Sequence, residues 1–196
     1  MFIMDATMSR QPTWDAACAI QADMFEAAGE VSGLKVQLVF FRGQRECKFS
    51  PWVADAPALA RKMGAVECRG GFTQIERALS HAASEAKAGA VNAVVYVGDC
   101  IEEEVDAVCA KAGELGLLKV PVFTFQEGAE PTAMAAFREI ARLSGGAYHS
   151  FDLASADVLR KLLRAVAVYA AGGRRALMDY GRSEGGEVLR IARQIK

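Results

Sequence analysis

An α/β domain built on a doubly wound, mainly parallel sheet, with helices packed on both faces, is what this sequence predicts. Three observations carry that prediction. Strand-like and helix-like stretches alternate along most of the chain, as βαβ construction requires. The run "NAVVYVGD" at residues 92–99 is apolar without alternation, which suits a strand buried on both faces of a parallel sheet. Hydrophobic residues make up 52% of the 196, enough for one large core that removes roughly 70% of the unfolded chain's surface from water.

The elements follow in order. "FIMD" reads as a first strand. It is short beside the usual 5 to 6 or so residues of a buried strand, so either it is an unusually short strand or a piece lies upstream of this sequence. "PTWDAACAIQADMFEAAGEV" opens on proline and repeats its apolar groups at helical spacing, at Ala16, Ile20, Met24 and Phe25. "LKVQLVFFRG" (34–43) is β-branched and aromatic, hence a strand, and "CKFSPWV" reads as a short companion. "APALARKMG" is a short helix. "TQIERALSHAASEAKAG" is a longer one, stopped by Gly89 with Lys87 in its last turn.

After the 92–99 strand, residues 102–115 read as a helix whose acidic run "EEEVD" forms its first turn. "KVPVFTF" is a strand whose Pro121 belongs at an edge or at the strand's start. "TAMAAFREIARLSGG" is a helix with a Gly-Gly stop, "AYHSF" a last short strand, and "SADVLRKLLRAVAVYAAGG" a helix opening on Ser155 as N-cap. Residues 1–171 are read as the domain. Residues 172–196 form a helical C-terminal tail, broken by Gly-Arg-Ser and Gly-Gly, that either packs on the domain, frays from it or serves as a docking segment.

Composition narrows the function. With 23 basic and 24 acidic residues the net charge is -1, which makes no electrostatic case for nucleic acid or an anionic membrane as main partner. No stretch reads as a signal peptide or a transmembrane run. The five cysteines, Cys18, Cys47, Cys68, Cys100 and Cys109, are odd in number and show no C-x-x-C spacing. Free thiols in a reducing, cytoplasmic compartment are the expectation.

Ligands of open α/β sheets bind outside the carboxyl ends of the strands. Asp5 and Asp99 each stand at such an end, Thr7 and Ser9 follow Asp5 at alternate positions, and Gly70-Gly71-Phe72-Thr73 leads into a helix. Singly, each has an ordinary reading as turn or cap chemistry. Jointly, Asp-x-Thr-x-Ser, then Gly-Gly-x-Thr, then Gly-Asp resembles the von Willebrand factor A domain with its metal-ion-dependent adhesion site. The resemblance extends over roughly residues 1 to 170 and matches five positions in order: Asp5, Thr7, Ser9, Thr73 and Asp99. Thr7 stands where that family usually has Ser, and Cys100 follows Asp99 where many members have Gly.

Two carboxylates and three hydroxyls are hard oxygen donors, suited to Mg²⁺ or Mn²⁺. The resemblance implies hydroxyls bound directly, one or both Asp acting partly through water, and an open position filled by an acidic side chain of a partner protein. The expected function is that of an intracellular protein-interaction module, not an enzyme. The rivals are a metal-dependent phosphohydrolase using the same rim and a scaffold with a vestigial site. A phosphatase of the haloacid-dehalogenase type would carry Asp at position 7, where Thr7 stands, and no Gly-rich phosphate loop with Lys is present. His81 and His149 are read as structural residues of a helix face and a sheet.

Overall fold

Six strands form one sheet in the order β3-β2-β1-β4-β5-β6 in the computed structural model, which describes residues 1–13, 34–152 and 156–195. The strands are β1 (Phe2–Asp5), β2 (Leu38–Arg42), β3 (Glu46–Phe49), β4 (Val94–Gly98), β5 (Val122–Glu127) and β6 (Ala147–Phe151). All neighbours pair in parallel except β2 with β3, an antiparallel hairpin turned at Gly43. The strand read over residues 92–99 lies beside the one ending at Asp5, with Ile3 in register with Tyr96.

The described helices are α1 (Ala56–Gly64), α2 (Ile75–Lys87), α3 (Val105–Leu117), α4 (Pro131–Ser144), α5 (Ala156–Glu184) and α6 (Gly186–Gln194), with a 3₁₀ turn at Met8–Thr13. They cover both faces, and the period-2 alternation of the strands decides which residue meets which. Phe2, Met4, Val95, Val97, Phe123 and Phe125 pack against α1, α5 and α6. Ile3, Val94, Tyr96 and Val122 pack against α2, α3 and α4. This is why residues 92–99 read as an unbroken apolar run.

The differences from the sequence reading have local causes. The strand expected over 34–43 contracts to Leu38–Arg42: Val36 pairs outside it, in an isolated bridge to Val53, while Gln37 still accepts from Phe2 N–H at 2.9 Å. Pro121 sits immediately before β5, an interior strand, so it marks a start and not an edge; its carbonyl accepts from Val94 N–H at 2.9 Å. The α3 helix begins at Val105 instead of residue 102, since Glu102 and Glu103 are used elsewhere. The helix expected over residues 12–31, Cys18 and the Ser155 cap lie largely or wholly outside the described residues.

Beyond Gly172 the chain stays helical across a break at Gly173 (φ 69, ψ −165). Leu177, Val188, Ile191 and Ile195 are buried with Phe2 and Phe123 in one cluster. Gln194 places its side-chain amide along edge strand β6, accepting from Tyr148 N–H at 3.0 Å and donating to Tyr148 O at 3.2 Å. A side chain thereby occupies ladder groups that an open edge would offer to another chain.

Candidate metal centre

The strand order reverses at β1: the chain runs outward to β2 and β3, then returns to β4 on β1's other side. The carboxyl ends of β1 and β4 therefore flank a topological switch point, where loops diverge and leave a crevice. Asp5 ends β1 and Asp99 follows the last residue of β4.

Past Asp5 the backbone is held on both sides. Ala6 N–H donates to Phe41 O at 3.0 Å, and Ala6 O accepts from Arg69 N–H at 3.0 Å. Asp5 Oδ1 accepts from Thr7 N–H at 2.8 Å, a side-chain turn that folds the chain back over the carboxylate. Thr7 Oγ1 and Ser9 Oγ then stand 3.1 Å apart. Asp5 and Thr7 are buried while Ser9 is exposed.

The loop carrying Thr73 is set by Gly71. A Cβ there would meet Gly43 O at 1.9 Å, so only glycine lets this loop lie against the β2–β3 hairpin. Thr73 does not cap α2, whose N-cap is Gln74. Thr73 Oγ1 accepts from Glu102 N–H at 3.0 Å, and Thr73 N–H donates to Glu102 Oε2 at 3.1 Å. Glu103 accepts from the N–H groups of Ile75 and Glu76 at 2.6 and 2.9 Å. The run "EEEVD", expected to be its own helix's first turn, instead ties the Asp99 loop to the Thr73 loop; Asp106 alone stands in the first turn of α3. The signal was present as acidic residues before the helix, but the partners of Glu102 and Glu103 lie 27 to 29 residues away.

Asp5, Asp99 and Cys100 bring one ligand atom each to within 4.8 Å of one another. Burial raises the Asp5 carboxyl to about 6; the negative charge of Asp99 adds to the rise, and hydrogen bonds from Thr7 oppose it. Burial, then the charges of Asp99 and Asp5, push the Cys100 thiol up to about 12. Asp5 Oδ2, Asp99 Oδ1 and the Tyr96 hydroxyl are buried with no hydrogen-bond partner among the described residues. Unpartnered buried carboxylate oxygens are costly.

A divalent cation fits this donor set. It would satisfy both orphaned carboxylate oxygens, and every one of the five matched residues supplies a hard oxygen. Adjacent oxygens of an octahedral Mg²⁺ at its usual bond length stand about 3 Å apart, close to the separation of the Thr7 and Ser9 hydroxyls. Thr73 Oγ1, already accepting one N–H, retains a lone pair.

Solved structures that superpose on the chain share one architecture. The von Willebrand factor type A protein from Catenulispora acidiphila matches with a TM-score of 0.68 at 18% identity, over 87% of this chain and 42% of that one. The fold is that of a von Willebrand factor A domain. The SpRpn10 VWA domain gives a TM-score of 0.65 at 12% identity, over 80% of this chain and 92% of its own. The manganese-loaded TRAP protein of Plasmodium vivax gives 0.61 at 14%, over 83% of this chain and 72% of its own. This chain thus spans about two fifths of the Catenulispora protein. No protein-family model and no curated protein matches the sequence.

Within this A-domain fold both histidines are engaged as structural residues. His81 Nε2 lies 2.9 Å from Gln37 Oε1 with its ring stacked on Phe49, and His149 Nε2 lies 2.8 Å from Glu187. Arg10, buried at the end of the Asp5 loop and not singled out from sequence, pairs with Glu127 at 2.9 Å. Cys100, marked in the sequence only as a departure from the family pattern, adds a thiol to the carboxylate pair.

Proposed function

We propose that this chain is a protein-interaction module that holds Mg²⁺ or Mn²⁺ at the rim formed by Asp5, Thr7, Ser9, Thr73 and Asp99, and receives there an acidic side chain of a partner protein. The observation that carries the reading is the pair of buried, unpartnered oxygens, Asp5 Oδ2 and Asp99 Oδ1, beside hydroxyls at the switch point. When bound, the cation supplies a Lewis-acidic position for an anionic oxygen. Thr7, Ser9 and Thr73 offer uncharged donors. Asp5 and Asp99 supply the compensating charge, and where either acts through water the cation stays electrophilic toward a carboxylate. The manganese-loaded TRAP protein supports a cation of this class at such a fold.

The surface around the rim suits a protein. Met8 and Phe72 are 52% and 62% exposed and flank Thr7 and Thr73 on the two loops. Exposed apolar side chains beside a polar centre mark contact surfaces. The histidines, the commonest general bases, are committed to Gln37 and Glu187, which favours binding over catalysis. The four described cysteines are free thiols, which suits an intracellular setting.

The test is capture of proteins from an extract by the parent with Mg²⁺, by the parent in EDTA, by Thr73→Ala and by Phe72→Ala, with circular dichroism confirming the fold. A partner retained by the parent and lost in EDTA and with Thr73→Ala supports the metal-bridged mechanism. Phe72→Ala should weaken capture while leaving metal binding intact. Equal capture in all four contradicts the proposal.

A further inference from the structure

We propose that the same rim also takes a thiophilic divalent cation of the Zn²⁺ class, with Cys100 Sγ as a ligand beside Asp5 and Asp99. The inference rests on the metal-site reading above and adds a ligand that an all-oxygen set lacks. Three features carry it. The thiol and the two carboxylates already lie within 4.8 Å of one another. Asp5 Oδ2 is buried and unpartnered, so a cation in the cluster would satisfy it. Cys100 is half-buried, whereas Cys47, Cys68 and Cys109 are buried, so it is the most accessible of the described thiols.

The chemistry separates two classes of ion. Mg²⁺ binds oxygen and has no use for a thiol. Zn²⁺ and Cd²⁺ favour thiolate, and mixed Cys and carboxylate ligation is ordinary for Zn²⁺. Ligand atoms around tetrahedral Zn²⁺ stand about 3.5 Å apart, so closing the cluster asks for no more than about 1.3 Å of side-chain adjustment. As the metal–sulfur bond forms, the Cys100 S–H proton leaves to solvent. A hydroxyl of the rim or water completes the coordination.

Cd²⁺ is the probe, because its bond to a thiolate gives a charge-transfer absorption in the ultraviolet. The full chain is titrated with Cd²⁺ as parent, Cys100→Ser and Asp5→Asn, and Mg²⁺ binding is followed separately by calorimetry. The parent should develop the band. Cys100→Ser should abolish it and weaken Zn²⁺ binding by about tenfold or more without weakening Mg²⁺ binding, since it puts an oxygen in place of the sulfur; Asp5→Asn should weaken both ions. A second readout needs no variant: Zn²⁺, and not Mg²⁺, should protect Cys100 of the parent from alkylation, read by peptide mass spectrometry. No band at saturating Cd²⁺, a band that persists in Cys100→Ser, or alkylation unaffected by Zn²⁺ overturns the inference. Failure of the parent to bind Mg²⁺ overturns the Mg²⁺ reading instead, and the Cd²⁺ band then decides this one alone.

Discussion

Asp5 is the residue on which the site turns, because it is a carboxylate held out of water with one oxygen unpartnered. Its pKa of about 6 lies above the ordinary carboxylate value, so between about pH 4 and pH 6 the folded state binds more protons than the unfolded one. Stability then falls as pH rises through that window. The loss attributable to Asp5 amounts to about 3 kcal/mol by neutral pH. Asp5→Asn removes the buried charge. In EDTA at pH 7 that variant should be more stable than the parent by about 2 kcal/mol, with the gap closing toward pH 4; urea unfolding across that range measures it. A parent more stable than Asp5→Asn in EDTA at neutral pH contradicts the account. Saturating Mg²⁺ should reverse the ranking, since an ion bound only by the folded parent adds stability by mass action. At this scale Asp5 and Asp99 were legible as carboxylates at strand ends, which the fold brings together. The roles of Glu102 and Glu103 were not, because side-chain partners across two loops leave no local pattern.

Among elements, α2 shows how the site is braced. It begins without a side-chain cap of its own, and its N-terminal N–H groups are satisfied by Glu103 from the loop after β4. A carboxylate there also meets the positive end of the helix dipole. Glu103→Ala should cost about 1 to 2 kcal/mol, with Glu103→Gln retaining part of the stability, as measured by denaturant unfolding. No loss on either change would mean that the cap contributes nothing. Helix and strand types were readable from periodicity and from glycine and proline punctuation: α1 and β6 fall where "APALARKMG" and "AYHSF" predicted. Boundaries slipped where a residue found a tertiary partner. Val36 left β2 for Val53, and Glu102 left α3 for Thr73.

The whole molecule explains why the rim exists. A sheet covered on both faces leaves its strand ends as the place where polar loops gather, and the reversal at β1 opens the crevice between β1 and β4. Alternating strands and helices made that architecture legible. The placement of the C-terminal residues was not legible, because their apolar positions find the sheet only once Gly173 turns the chain. Its φ of 69° with ψ of −165° is a conformation for glycine, so Gly173→Ala should destabilise the protein by about 1 to 3 kcal/mol, seen as a lowered urea midpoint at unchanged slope. An unchanged midpoint would mean that the break is not needed for packing. The central claim concerns the rim, and calorimetric titration with Mn²⁺ in the absence of any partner tests it most directly. The parent should bind a single ion per chain, and Asp5→Asn and Asp99→Asn, each folded by circular dichroism, should each weaken binding by about tenfold or more; a parent that takes up no Mn²⁺, or two variants that bind as the parent does, would contradict the account.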